Sequence, residues 1–212
     1  MCATSVIAIS ASAVAQAQDM SGFYAGIHAG AAMGTLSGNV TANNGSGVLA
    51  DADSLGPVAG VQLGYNFATG SDLLIGAELS ASFGHASDSQ TLENFGNASI
   101  PRYVERELTG LALAQGKFGW STGDLSLYGL AGVAVATGTL SDTEGSASYS
   151  GDTFYNGWTL GAGIDLALTE NVSIGAAYNY VDLSATDTEP TGTIVEQELD
   201  SHIGKLVLNY HF

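Results

Sequence analysis

Large apolar residues alternate with small or polar ones along most of this chain, and the clearest run is the last. In Leu206-Val207-Leu208-Asn209-Tyr210-His211-Phe212, successive side chains of a strand point to opposite faces. Leu206, Leu208, Tyr210 and Phe212 therefore form one apolar stripe, while Val207, Asn209 and His211 face the other way. The same period recurs in Phe23, Ala25, Ile27, Ala29, Ala31 and Met33, in Val61, Leu63, Tyr65 and Phe67, and in Leu73, Ile75, Ala77, Leu79 and Phe83. It continues through Trp158, Leu160, Ala162, Ile164, Leu166 and Leu168, and through Val172, Ile174, Ala176, Tyr178 and Tyr180. The opposite parity holds His28, Gly30, Gln62, Gly64, Asn66, Gly76, Glu78, Ser80, Gly161, Gly163, Asp165, Ser173, Gly175 and Asn179. A soluble barrel needs its greasy side inside, with small and polar residues outside. The pattern here reads as the reverse, apolar outside and small or polar inside, the arrangement of a barrel in lipid. The alternative for the final stripe is the closing strand of a soluble sandwich.

Strands are predicted to begin near Gly22, Pro57, Leu73, Leu108, Asp124, Gly157, Val172 and Leu199, at spacings of roughly 35, 16, 35, 16, 33, 15 and 27 residues. Long and short connections alternate, as in an up-and-down barrel with long external loops and tight periplasmic turns. Ala68-Thr69-Gly70-Ser71-Asp72, Ser121-Thr122-Gly123-Asp124 and Thr169-Glu170-Asn171 have the small polar chemistry of the tight turns. The stretches Thr35–Gly56, His85–Val104, Thr139–Tyr155 and Ser184–Glu198 are rich in Ser, Thr, Asn, Asp and Gly and are expected to be extracellular loops. Pro57, Pro101 and Pro190 fall in these loops or at a strand entry, where no ladder bond is lost. Tyr65, Phe67, Phe118, Trp120 and Tyr210 lie near turns or the C-terminus, as an interfacial aromatic girdle requires. Facing in strands four and five, around Leu111 and Leu130, is the least defined by pattern. The predicted fold is an all-β, eight-stranded antiparallel up-and-down transmembrane barrel, whose lumen at that strand number is filled by side chains.

Composition agrees. The 212 residues include 29 Gly and only 3 Pro, and no segment approaches the ~20 apolar residues of a spanning helix. Hydrophobicity is spread thinly over many short segments instead. With 21 acidic residues against 4 basic ones, the net charge is −17. Four scattered cations cannot neutralise a phosphate backbone, so nucleic-acid binding is excluded. Most Asp and Glu fall in the long inter-strand segments, which reads as solvated loops. No EF-hand loop or His/Cys cluster marks a metal site.

Residues 4–17 are small and apolar, and Ala15-Gln16-Ala17 before Gln18-Asp19 fits an A-x-A signal-peptidase site. Residues 1–17 are expected to be a signal peptide whose basic start is cut short, with the barrel domain spanning 18–212. Cys2, the sole cysteine, would leave with the signal, so the mature chain could form no disulfide. No separate peptidoglycan-binding module is expected after Phe212.

Several segments resemble one family. Gly22-Phe23-Tyr24-Ala25-Gly26, Gly60-Val61-Gln62-Leu63-Gly64-Tyr65-Asn66-Phe67, Ile75-Gly76-Ala77-Glu78-Leu79, Lys117-Phe118-Gly119-Trp120, Leu127-Tyr128-Gly129-Leu130-Ala131-Gly132-Val133-Ala134, Gly161-Ala162-Gly163-Ile164-Asp165 and Leu208-Asn209-Tyr210-His211-Phe212 are similar, in order and spacing, to the small outer-membrane β-barrels of the opacity-like and OmpA-like type. These surface antigens are often labelled "porin family". The resemblance implies residence in the outer membrane, insertion by assembly machinery that reads the C-terminal strand (Leu206, Leu208, Tyr210, Phe212), and no catalysis. Two departures from the family pattern, Lys117 in place of Arg and Ala177-Tyr178 in place of Glu-Tyr, imply a thinner network of charges in the lumen.

Glu78, Lys117 and Asp165 are expected to point inward, with Lys205 as a fourth candidate. An unpaired charge in a closed lumen is costly, so Lys117 is expected to pair with Glu78 or Asp165. A catalytic role has little support. His28, His85, His202 and His211 show no spacing to a Ser and an acid, and no nucleophile elbow is present. Gly161-Ala162-Gly163 lies inside a strand and is no phosphate loop. No cofactor is implied. The expected role is a structural one at the surface of the envelope, with outer-membrane lipid and the assembly machinery as partners and acidic loops exposed. A small pore passing ions through Lys117, Glu78 and Asp165 is the alternative. An adhesin acting through its loops, with Phe95, Tyr103, Tyr149 and Phe154 as anchors, is a third.

Overall fold

The computed structural model describes residues 20–42, 45–69, 71–92, 102–144, 147–188 and 194–212, and side chains within 20–35, 55–69, 71–84, 110–138, 154–185 and 198–212. The expected signal segment, Cys2, Pro101, Pro190 and Phe95 lie outside the described residues, as do the side chains of His85, Tyr103 and Tyr149. Eight strands follow in order: β1 (Gly22–Ala42), β2 (Gly45–Phe67), β3 (Leu73–Leu92), β4 (Arg102–Thr122), β5 (Leu125–Glu144), β6 (Ala147–Thr169), β7 (Val172–Thr188) and β8 (Ile194–His211). Each pairs antiparallel with its sequence neighbour, and β1 with β8 closes the barrel. Closure gives every strand two neighbours through the apolar belt, where no water could satisfy a bare edge.

Closure is completed at the C-terminus. Tyr24 pairs with His211 in register, and the Phe212 amide donates to the carbonyl of Phe23 at 3.0 Å. The tight turns are tied by their own side chains. Thr169 Oγ1 accepts from the Val172 amide at 3.1 Å, Asn171 Nδ2 donates to the His211 carbonyl at 2.9 Å, and Gly123 supplies the left-handed φ of +58° that its turn needs.

The face parity read from the pattern is the one observed. Leu206, Leu208, Tyr210 and Phe212 face outward, as do Phe23, Ile27, Leu63, Leu79, Leu160 and Ile174. Aromatic rings gather at the periplasmic end, with Phe23 on Tyr65 at 4.7 Å, Tyr65 on Phe67 at 5.0 Å, and Tyr210 on Phe212 at 5.2 Å between centroids. The strands whose facing was open resolve with Leu111, Leu113 and Leu130 inward and Leu127, Val133 and Val135 outward.

The external segments differ from expectation. Thr35–Gly56, His85–Val104, Thr139–Tyr155 and Ser184–Glu198 are not loops throughout, because the strands run on through most of each. A ladder needs only backbone partners, and a hairpin above the membrane can be polar on both faces, so the apolar pattern fades before the strand does. The pairing above the belt is uneven. β7, β8, β1 and β2 stay paired to Thr188–Ile194, Thr41–Ile194 and Ala42–Gly45, and β3 to β6 stay paired to Leu92–Arg102, Arg102–Glu144 and Glu144–Ala147. Among the described residues, β2 and β3 part above Val58–Gly84, and β6 and β7 part above Asn156–Ser184. The upper barrel is thus two four-stranded sheets separated by seams on opposite sides.

Candidate functional site

The lumen is layered. Nearest the periplasm, His211 Nε2 lies 3.0 Å from Ser173 Oγ, and Asn66 Nδ2 donates to the carbonyl of Met20 at 2.9 Å. Above them lies the charged layer. Lys117 Nζ donates to Asp165 Oδ2 at 3.1 Å, and Lys205 Nζ lies 3.8 Å from Glu78 Oε1, with all four side chains buried. The structure therefore brings the four residues singled out from sequence into one layer, with Lys117 on Asp165 rather than on Glu78. Ala177, which stands where the family pattern has Glu, is the register partner of Lys205 on the neighbouring strand. Lys205 reaches across the lumen to Glu78.

Two tyrosines complete the layer. Tyr24 Oη donates to Glu78 Oε2 at 2.7 Å, and Tyr128 Oη donates to Asp165 Oδ1 at 3.0 Å. The Lys117 ammonium sits 3.7 Å from the Tyr128 ring centroid and 5.2 Å from that of Tyr24, within the range of attraction between a cation and a ring face. Each ring occupies a slot left by a glycine. A Cβ on Gly64 would meet the Tyr24 ring at 2.2 Å, and one on Gly163 would meet the Tyr128 ring at 2.6 Å. Sequence reasoning missed both tyrosines. Their signal is a large aromatic on the inward parity whose register partner is glycine, as in Tyr24–Gly64 and Tyr128–Gly163.

Amides and hydroxyls fill the next layer. Gln62 Nε2 donates to Asn209 Oδ1 at 2.9 Å, Gln115 Nε2 to Thr159 Oγ1 at 3.4 Å, and His28 Nε2 lies 2.9 Å from Ser82 Oγ. The extracellular part of the described lumen is apolar, built from Leu111, Leu113, Val181, Leu183 and Ile203 with Ala134, Ala136 and Tyr155. Polar below and apolar above is not what the sequence pattern suggested for an interior.

Among the described residues, the lumenal histidines His28 and His211 each touch a serine. Nδ1 of His28 and of His211 has no hydrogen-bond partner among the described residues, so the acid that orients a catalytic imidazole is missing. His202 faces outward instead, with Nδ1 2.5 Å from Tyr178 Oη and its ring 5.2 Å from that of Tyr180. No group of three or more metal-ligating side chains occurs among the described residues.

Relatives and solved structures agree with the barrel fold. The chain is 27% identical over 168 residues to a 31 kDa outer-membrane immunogenic protein of Brucella melitensis biotype 1, covering 76% of this chain and 69% of that one. It is 26% identical over 109 residues to a 22 kDa outer membrane protein of Rhizobium leguminosarum bv. viciae, covering 51% of this chain and half of that one. Its fold is similar to the outer membrane protein OprG from Pseudomonas aeruginosa, with a TM-score of 0.56 at 17% identity over 91% of this chain and 96% of that one. It is also similar in fold to the outer membrane protease OmpT from Escherichia coli, with a TM-score of 0.50 at 10% identity over 93% of this chain and 99% of that one. Residues 1–212 match the description "Outer membrane protein beta-barrel domain", and the chain belongs to that family of the bacterial outer membrane.

Proposed function

We propose that this protein is a structural barrel, closed to solutes, that contributes to the integrity of the outer membrane and presents its acidic arms outside. The observation that carries this reading is the charged layer across the lumen, in which Lys117, Asp165, Lys205 and Glu78 are paired and two tyrosine rings are keyed into glycine slots. An eight-stranded barrel has an interior only wide enough for side chains. A solute would have to break both ion pairs and then cross the apolar layer of Leu111, Val181, Leu183 and Ile203. Breaking one buried pair costs about 3–5 kcal/mol, which is far above thermal energy. The reading is non-catalytic, since neither serine–histidine pair has an orienting acid.

The test is single-channel recording in a planar bilayer, using protein extracted already folded from outer membranes and shown to be inserted. A silent bilayer is expected. Reproducible unitary steps with cation preference would overturn the closed reading and assign a small pore to Glu78, Lys117 and Asp165.

A further inference from the structure

We infer that the upper lumen is a binding site for one acyl chain of a surrounding membrane lipid, entered sideways between β2 and β3. Three observations converge on it. A cavity of about 40 Å³ lies inside the apolar layer, lined by Ala32, Val58, Leu111, Val181, Leu183 and Ile203 among others. Gly56, Pro57 and Gly84 also line it, and these flank Val58–Gly84, the last pair before β2 and β3 separate. The cavity therefore meets the seam. On the outer surface the foot of the seam is flanked by Leu55 and Phe83, 72% and 64% exposed, so it begins at the upper margin of the apolar belt, within reach of hydrocarbon.

The chemistry of the cavity selects the occupant. It has room for a water, but both nearby hydroxyls are engaged, Ser82 with His28 and Ser201 with the Met33 carbonyl. With the rest of the lining side chains apolar, a water would find at most these two hydroxyls, the minimum of the two to four polar partners it needs. At about 40 Å³ the space is also well below the ~150 Å³ that accepts benzene. A ring is too large, whereas the end of an unbranched chain is narrow enough. No charged or amide group lines the cavity to hold a polar headgroup, which would remain outside with the rest of the lipid. From below, the charged and amide layers block approach, while the seam opens the cavity sideways toward the lipid-facing surface.

Local features fit an opening to lipid. Pro57 contributes no N–H to the β2 edge, which lowers the cost of baring that edge to hydrocarbon. Glycines at 56, 84 and 110 keep the entrance narrow-walled. A Cβ on Gly84 would meet the Pro57 carbonyl oxygen at 2.9 Å and Val58 Cγ1 at 3.0 Å, so the two strands approach closely just where they begin to part.

The test uses deuterated protein with protonated Ile, Leu and Val methyls, reconstituted in nanodiscs of protonated dimyristoyl phosphatidylcholine. Nuclear Overhauser contacts are then sought between protein methyls and lipid chain protons. Leu79 and Leu206, which face outward, serve as positive references, and Leu130, in the lower lumen, as the negative one. Contacts from Val181, Leu183 and Ile203 are expected, together with their loss in Ala32→Leu while the outward contacts persist. Lumenal methyls as isolated as Leu130 would overturn the proposal. So would contacts that survive Ala32→Leu in a barrel whose spectrum is otherwise unchanged.

Discussion

Lys117 gathers more of the lumen's electrostatics than any other single side chain. Its ammonium is held by Asp165 at 3.1 Å and by the faces of Tyr128 and Tyr24, and the whole side chain is buried. Replacing Lys117 with Met keeps the bulk but leaves the Asp165 carboxylate with only the Tyr128 hydroxyl. An uncompensated buried charge costs about 3–5 kcal/mol. Lys117→Met is therefore expected to lower the thermal unfolding temperature of the folded barrel in detergent, and an unchanged melting curve would show the pair to be energetically idle. The charged members of this layer were legible in the sequence, because a charge on the small, polar parity of an otherwise apolar strand has nowhere to point but inward. The choice of Asp165 over Glu78 was not legible. It depends on which strands meet across the lumen, and cross-lumen distances follow from the closed barrel rather than from spacing along the chain. The tyrosines escaped notice because Tyr24 follows Phe23 directly, and an aromatic beside an outward aromatic does not announce its own direction.

At the scale of the strand, alternation was the strongest signal, and it ended where the membrane ends. Leu79 lies near the middle of the belt on β3, 62% exposed and paired in register with Leu63 and Ala114 on its neighbours. A cation there must be desolvated into hydrocarbon at about 2–4 kcal/mol. Leu79→Arg is expected to reduce unfolding stability in lipid bilayers by that amount, read from urea titration of refolded protein, with a smaller loss in detergent micelles that deform around it. The starts of β1, β3, β5 and β7 and the periplasmic turns were readable because turn residues and the apolar stripe change together at Asp72, Gly123 and Asn171. By contrast, β2, β4, β6 and β8 begin at Gly45, Arg102, Ala147 and Ile194, 5–12 residues before the expected Pro57, Leu108, Gly157 and Leu199. The external ends were not. Ser, Thr, Asn and Asp can pair in a ladder as well as populate a loop, so composition could not distinguish the long hairpin arms from coil. In β4 the apolar Leu111 and Leu113 obscured the facing, since the upper lumen is itself apolar.

The whole molecule combines a continuous cylinder with a divided top. Around the belt, pairing is unbroken from β1 to β8, but above Val58–Gly84 and Asn156–Ser184 it survives only within the sheets β7-β8-β1-β2 and β3-β4-β5-β6. Backbone amides bordering the seams have a neighbour on one side alone, and local opening there breaks fewer contacts. Hydrogen exchange should be faster along the β2 and β3 edges above the seam than at equal height along the β1–β8 and β4–β5 pairs. Equal protection on both would mean that the two sheets move as one. The eightfold closure followed from the count of stripes, whereas the seams depend on where each ladder stops, which no residue pattern records.

The layer of paired charges also empties the outer surface of one functional group. The chain has four fixed cations, of which Lys117 and Lys205 are its only lysines, and both are enclosed in the lumen. Amine-directed reagents therefore find no side-chain target on the assembled protein, while the unfolded chain offers two, so acylation at these positions becomes a clock for insertion. Tryptic cleavage is confined in the same way to Arg102 and Arg106, both on the external half of β4. On the unfolded chain trypsin can also cut after Lys117 and Lys205, so cleavage at those two positions marks molecules still waiting to cross the periplasm and is lost once the barrel has closed.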